Sequence, residues 1–156
     1  MTKITIDSSS RKALAKIENL DKLTREGVEY AAYVSGKGLV KTTSAEILKK
    51  PKGGRVYTIR TASGRKRRHV ASAAGETHAN MTGKLRKTLS FKVAPTELEF
   101  GYGVTKNDAP DYAKSVEFGT SRMKPRPSLQ NGINSETRNI ETNFKQQIGK
   151  RLGNKL

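Results

Sequence analysis

The chain has 156 residues, which is enough for one domain with a single core but not for two. It contains 31 lysine and arginine residues against 14 acidic residues, and this net charge of +17 favours binding to polyanions. Because the chain has no cysteine, disulfides, thiolate metal sites and cysteine nucleophiles are excluded.

The N-terminal segment indicates where the protein is made. Ile4 and Ile6 alternate with polar residues, and residues 1–7 lack the apolar centre of a signal peptide. No stretch of the chain is apolar enough to span a bilayer. We therefore expect a cytoplasmic protein that makes no membrane contact.

A helix is predicted to follow, since the hydroxyls of Ser8–Ser10 can accept hydrogen bonds from the free amides of a first helical turn. Gly36 and Gly38 interrupt the helical pattern, so the helix is expected to end at about Val34. A short second helix is predicted from Ser44 to Lys49. The apolar stripe that predicts the first helix recurs at three- and four-residue steps and consists of Leu14, Ile17, Leu20, Val28 and Ala31.

The middle of the chain changes to the period of a strand. Val56–Ile59 is rich in β-branched and aromatic residues, which predicts a strand. The segment that follows is polar and strongly basic and then runs into small residues, so a mobile basic loop is predicted near residues 61–79.

An antiparallel hairpin is the clearest sheet prediction. Apolar residues alternate with polar residues or glycine on both sides of a turn at Pro95-Thr96. Gly101 and Gly103 leave one face of the second strand without side chains, which indicates a bend, a bulge or the close approach of another backbone. The alternating residues are Leu89, Phe91 and Val93 before the turn and Leu98, Phe100, Tyr102 and Val104 after it.

The chain is predicted to end in a helix that packs onto the sheet. Pro125 and Pro127 restrict the backbone just before its start, and Gly132 costs it about 1 kcal/mol relative to alanine. The order of elements predicts a single α+β domain over residues 1–156, with an antiparallel sheet packed by an N-terminal and a C-terminal helix. The apolar face of the last helix consists of Leu129, Ile133, Ile140, Phe144, Ile148 and Leu152.

The sequence offers little for catalysis. His69 and His78 have no carboxylate partner at a recognisable spacing, and no segment has the spacing of a phosphate-cradling loop. Asp108, Asp111 and Glu117 lack the basic residue that a magnesium nuclease pattern would place beside a second catalytic acid. We therefore expect no enzyme activity and no cofactor or metal ion.

The run Arg65, Lys66, Arg67 and Arg68 is the densest positive segment. It fits equally a solvated loop and a contact with phosphate backbones. No aromatic residues are interleaved with it, so any binding is expected to be electrostatic, independent of sequence and directed at duplex rather than single-stranded nucleic acid.

Two blocks of the chain resemble the signatures of one family of bacteriophage proteins, the tail-completion or head–tail joining (neck) proteins of long-tailed double-stranded DNA phages. The first block, residues 71–86, reads ASAAGETHANMTGKLR, a small-residue loop that runs into a Thr-Gly-x-Leu-Arg turn. The second block, residues 111–129, reads DYAKSVEFGTSRMKPRPSL and precedes the predicted C-terminal helix, as in the family. The chain departs from the family at Ala74 and His78, where prolines are common.

The resemblance implies a non-enzymatic virion protein. Such a subunit assembles in the host cytoplasm as a hexameric ring at the head-proximal end of the tail, between tail-tube and head-connector proteins, with genomic DNA in its lumen. Arg65–Arg68 would then face DNA. The candidate subunit-interface residues are those that carry the resemblance, namely Ser72, Gly75, Glu76, Thr82, Gly83, Leu85, Arg86, Tyr112, Glu117, Phe118, Gly119, Thr120, Pro125, Pro127 and Leu129.

Three residues of the blocks have specific expected roles. Gly83 and Gly119 are candidates for backbone angles that only glycine adopts easily, or simply for the ends of secondary structures. Glu117 is a candidate to pair with a basic residue across a subunit boundary. The composition also fits two other classes, a free-standing basic protein that binds nucleic acid and a metal-dependent nuclease.

Overall fold

The computed structural model describes residues 8–50, 52–95 and 97–153, which form an α+β fold. The strands pair in two separate antiparallel ribbons, β1 with β2 and β3 with β4. The predicted fold class is confirmed, with two small sheets in place of one, while Ile4 and Ile6 lie outside the described residues. The elements are α1 (Ser8–Leu48), β1 (Val56–Arg60), β2 (Lys66–Val70), α2 (Lys84–Lys87), β3 (Leu89–Ala94), β4 (Glu97–Tyr102), α3 (Ala113–Phe118) and α4 (Ser128–Leu152).

The N-terminal half of the chain is one helix. α1 begins at Ser8 as predicted, but it continues through Gly36 and Gly38 to Leu48, so the predicted end near Val34 and the separate second helix were wrong. Gly36 is buried against Phe91 of β3, and a Cβ atom at this position would overlap the Phe91 ring. The glycine therefore lets the helix approach the hairpin closely, and this packing offsets its poor helix propensity.

α1 and α4 form an antiparallel pair, since an early residue of α1 meets a late residue of α4 and the reverse. A Cβ atom added to Gly27 would lie 3.2 Å from Ile148 Cα, while Gly132 near the start of α4 lies against Thr43. The hydroxyl of Thr42 donates a hydrogen bond to Glu136, which is buried between the helices. Close backbone approach and polar contacts thus supplement a small apolar core.

The first turns of α1 extend beyond this pair. Residues 11–19 are all exposed, including Leu14 at 47% and Ile17 at 62%, because α4 ends beside Gly27. The predicted apolar stripe is therefore buried only in the second half of the helix, at positions such as Ala31.

The β3–β4 hairpin matches its prediction except at Val104, because β4 ends at Tyr102. Phe91 pairs with Phe100, and the pairing extends to Ala94↔Glu97. The predicted close approach of another backbone occurs at Gly103, where a Cβ atom would lie 2.5 Å from the Ala109 nitrogen. α1 packs against both this hairpin and α4, which places the core around α1.

The segment from 55 to 70 forms what we call the basic ribbon. β1 was predicted, but β2 lies inside the segment predicted to be a loop, so the loop prediction was wrong for Lys66–Val70. The backbone of β2 is held by pairing with β1 from Val56↔Val70 to Arg60↔Lys66. Most side chains of the ribbon are exposed, and Ile59, Thr61, His69 and Val70 are half-buried.

Candidate functional site

The two blocks that resemble the phage family pack against each other. The Gly75 amide donates to the Pro125 carbonyl oxygen at 3.0 Å. Arg126 Nε donates to the Ser72 carbonyl oxygen at 3.1 Å. Segments some fifty residues apart in sequence thus form one structural unit, which we call the block junction.

The buried carboxylate of Glu117 binds backbone amides of the second block and of the start of α4. Its Oε2 accepts a hydrogen bond from the Ser128 amide at 2.9 Å, and its Oε1 accepts from the amides of Leu129 at 2.9 Å and Gln130 at 3.3 Å. These are the free amides at the start of α4, so the carboxylate caps this helix. Burial raises the pKa of Glu117, and the three amides oppose this rise.

The expected pairing of Glu117 across a subunit boundary does not match this position. The residue is only 6% exposed, and both carboxylate oxygens are occupied by backbone amides of its own chain. Its role in the structure is to fix the start of α4 relative to α3.

The two glycines singled out from the sequence do require unusual backbone angles. Gly119 has φ 78° at the end of α3, and a Cβ atom there would lie 2.6 Å from the Met123 carbonyl oxygen. Gly83 has φ 77° at the start of α2. A larger residue at either position would be strained, which confirms the prediction from sequence.

His78 and Ser128 join the blocks at the centre of the junction. Ser128 Oγ lies 2.7 Å from His78 Nδ1, and it also accepts a hydrogen bond from the His78 amide at 3.1 Å. Burial, and then the nearby charges of Lys52 and Arg126, lower the pKa of His78 to about 4. The pair resembles a nucleophile and its base, but Ser128 has no exposed surface, so no substrate can reach its hydroxyl.

The block residues divide into internal and surface positions. Ser72, Gly83, Leu85 and Glu117 are buried, so they support the junction. Five others are half-buried, namely Glu76, Arg86, Gly119, Pro127 and Leu129. Six are exposed and available to another molecule, namely Gly75, Thr82, Tyr112, Phe118, Thr120 and Pro125.

Phe118 is the most exposed large apolar residue among those described. Its side chain is 79% exposed at the end of α3, beside the sharp turn at Gly119. The buried face of α3 carries Ala113 and Glu117, which fixes the orientation of the helix. The structure therefore presents an aromatic ring to solvent from a well-anchored element.

Glu76 also binds backbone amides. Its carboxylate accepts hydrogen bonds from Ala73 at 2.8 Å and from Gly53 at 3.1 Å, and these bonds lower its pKa. The contact ties the first block to the segment that follows α1. Sequence reasoning placed Glu76 among interface candidates but missed this internal role, because the two segments are far apart in the chain.

The predicted DNA-facing residues lie together on the basic ribbon. Arg65 is in its turn, Lys66, Arg67 and Arg68 are on β2, and all four are exposed. With Arg55 and Arg60, the sequence of residues 55–70 carries six positive side chains and no carboxylate. The Arg55 guanidinium lies 5.5 Å from the centre of the Tyr57 ring. The basic ribbon is therefore a two-stranded element whose exposed surface is strongly positive.

The described residues offer no metal site. Within the ranges given above, no group of three or more histidine, aspartate or glutamate side chains is placed to hold a metal ion. None of the described helices has the length and apolar character that crossing a bilayer requires. Comparison of the chain with protein-family models, curated proteins and solved structures finds no match.

Proposed function

We propose that this protein is a non-enzymatic structural subunit of a bacteriophage virion. It forms a ring at the head-proximal end of the tail, completes the tail and joins it to the head connector. Genomic DNA passes through the lumen of the ring. The resemblance of residues 71–86 and 111–129 to the neck family supports this assignment, and their packing into one junction fits blocks that act together.

The basic ribbon is the observation that supports the proposed contact with DNA. Six exposed arginine or lysine residues within sixteen residues of chain, with no carboxylate among them, create a positive potential that attracts phosphates. A two-stranded ribbon is also narrow enough to enter the major groove of a duplex. Its side chains then contact phosphates on either side without reading the sequence.

The surface members of the two blocks are the proposed contacts with neighbouring subunits. A ring needs two different complementary surfaces on each copy. Phe118 is an aromatic anchor of the kind that protein interfaces bury. Connector and tail-tube proteins would bind the two rims of the ring.

A second candidate is a free-standing protein that binds nucleic acid without regard to sequence. The basic ribbon favours it, because the ribbon is complete within one chain and requires no second subunit for its charge.

The solution mass of the purified protein separates the two candidates. It is measured by light scattering in high salt, where nonspecific association between charges is screened. The neck proposal predicts a closed species of several subunits. A monomer at every concentration that binds duplex DNA tightly on its own would establish the free-standing candidate instead.

A further inference from the structure

We propose that the protein has a second phosphate-binding surface, a basic groove beside the ribbon, which holds the backbone of the same DNA duplex. This inference rests on the proposed function for the identity of the ligand. It joins two arginines of the basic run to five cationic residues outside it, namely Lys49, Lys50, Lys52, Arg86 and Lys87.

Two elements far apart in the sequence form the walls of the groove. Lys49, Lys50 and Lys52 follow the end of α1, and Arg67 and Arg68 of β2 also line the groove, although their side chains alternate between the two faces of the strand. The groove has a volume of about 940 Å³. Five positive charges from separate elements therefore surround one space, although like charges repel and such a grouping costs free energy.

A third element adds two more charges. Arg86 and Lys87 belong to α2, while Ile47 and Leu48 of α1 and Met81 add apolar lining. Arg86 Nη1 donates to Ser44 Oγ at 3.2 Å, which holds the guanidinium in place. The groove is thus partly organised before any ligand binds, which lowers the entropic cost of binding.

The charges of the groove are poorly neutralised within the chain. Among the residues that the structure describes, no aspartate or glutamate lines it. Lys49, Lys50 and Lys52 also line a neighbouring cavity, which they share with Glu46 and Glu76. Glu46 Oε1 lies 3.6 Å from Lys49 Nζ there. Glu76 is engaged with backbone amides. Most of the positive potential therefore remains available to an external anion.

Lys52 is held by a hydrogen bond to the backbone near the end of α1. Its Nζ donates to the Glu46 carbonyl oxygen at 3.0 Å. Partial burial lowers the pKa of Lys52, and Lys49 adds to this effect, while Glu76 and Glu46 oppose it. An anion in the groove would relieve the unfavourable placement of this ammonium group.

Duplex DNA fits the groove better than a single phosphate does. Seven cationic side chains exceed what one phosphate group can neutralise, whereas a duplex carries one negative charge for about every 1.7 Å of its axis. Because Arg67 and Arg68 belong to both surfaces, a backbone that contacts the ribbon continues directly into the groove.

The salt dependence of binding to a short duplex tests this inference, with fluorescence anisotropy as the measurement. The groove variant combines Lys49→Gln, Lys50→Gln and Lys52→Gln. The matched control combines Lys12→Gln, Lys16→Gln and Lys22→Gln, three lysines of α1 that lie away from the groove and change the net charge equally. A ribbon variant combines Arg65→Gln and Lys66→Gln, which leaves the shared arginines in place.

Removing one phosphate contact reduces the slope of log K against log salt by about 0.9. We expect the slope of the groove variant to fall by between about one and three units, and that of the control to fall by less than about one. Equal slopes of log K against log salt for the groove variant and the control would contradict the proposed DNA contact of the groove. If the slope falls for the ribbon variant alone, the DNA contact of the proposed function stands and the groove is wrong.

Two further results complete the test. If neither the groove nor the ribbon variant differs from the control, both DNA contacts are wrong. Circular dichroism checks that each variant is folded, and the double variant Lys49→Gln and Lys50→Gln repeats the measurement with the partly buried Lys52 retained.

Discussion

Glu117 illustrates how a residue can be identified correctly from the sequence and assigned the wrong role. Its position in the second block marked it for attention, and a carboxylate in a basic chain suggested an ionic partner. In the structure its partners are three backbone amides at the start of α4. The sequence does not reveal this, because the contact depends on how the turn at Gly119 and the two prolines fold the chain back.

Replacing Glu117 should destabilise the protein. Glu117→Ala leaves the first amides of α4 without an acceptor in a buried setting, and we expect a loss of about 2–4 kcal/mol in the free energy of unfolding. Chemical denaturation measures this loss in the free energy of unfolding. Glu141→Gln on the exposed face of the same helix is the control, and a loss no larger than about 0.5 kcal/mol for Glu117→Ala would contradict the capping role.

His78 should make stability depend on pH. Its pKa of about 4 in the folded protein lies below the ordinary value of 6.5, so the unfolded chain takes up the proton first as the pH falls. Stability from this residue is therefore fully present above pH 6.5 and is lost as the pH falls toward 4, by about 3 kcal/mol.

The test compares the unfolding free energies of the native protein and His78→Asn between pH 7 and 4. Asparagine keeps a polar group near Ser128 but does not titrate, and Glu117 contributes equally to both proteins. The difference between the two proteins should shrink as the pH falls. A difference that stays constant over this range would show that His78 does not titrate as described.

The elements of the fold differ in how far the sequence predicts them. The β3–β4 hairpin and α4 were predicted because their apolar residues recur with a clear period, two in the strands and about 3.6 in the helix. The apolar face predicted for α4 is only partly covered, since Ile133 is 39% exposed and the buried positions are Ser128, Gly132 and Glu136. β2 was missed because it has no apolar alternation and is held by pairing with β1. The short helices α2 and α3 are set mainly by the turns around them.

Glycines at helix contacts explain why the end of α1 was predicted wrongly. At Gly36 and Gly38 local propensity predicts an interruption, yet α1 continues because close packing against Phe91 and Glu136 uses the absence of a side chain. Such packing involves residues that lie more than fifty positions away in the chain. A single sequence does not show which glycines end a helix and which lie at a contact.

Two substitutions in α4 separate the effect of helix propensity from the effect of close packing at a glycine. Gly132→Ala places a methyl group into Thr43 of α1, so we expect a net loss of about 1–3 kcal/mol despite the better helix propensity of alanine. Gly149→Ala meets nothing within 4 Å and should stabilise the protein by about 0.5–1 kcal/mol. Thermal or chemical unfolding measures both. Stabilisation by both substitutions would contradict the close packing of α1 and α4 at Gly132.

At the scale of the whole molecule, the first block and the basic residues share a surface, since Met81, Thr82, Gly83 and Arg86 line the groove. The junction holds the blocks together through its buried residues, and its exposed members remain available for assembly. The run Arg65–Arg68 was identified from its charge, but the groove was not, because its lysines and arginines come from three separate parts of the chain.

Phe118 should be required for self-association. Phe118→Glu places a charge where the proposed ring buries an aromatic ring, so the assembled species should shift to monomer in high salt. Ile17→Glu is the control, since Ile17 is also an exposed apolar side chain, at 62%, but lies outside both blocks. Light scattering measures the mass, and assembly that survives in Phe118→Glu would exclude this residue from the interface.

The most direct test of the proposed function is the number of subunits bound to duplex DNA as the duplex is lengthened. Mass photometry of mixtures with duplexes of increasing length gives this number. A ring around DNA predicts that binding increases in steps of one whole ring, with no intermediate numbers of subunits. A steady increase by single subunits would contradict the ring and identify a free-standing protein that coats DNA.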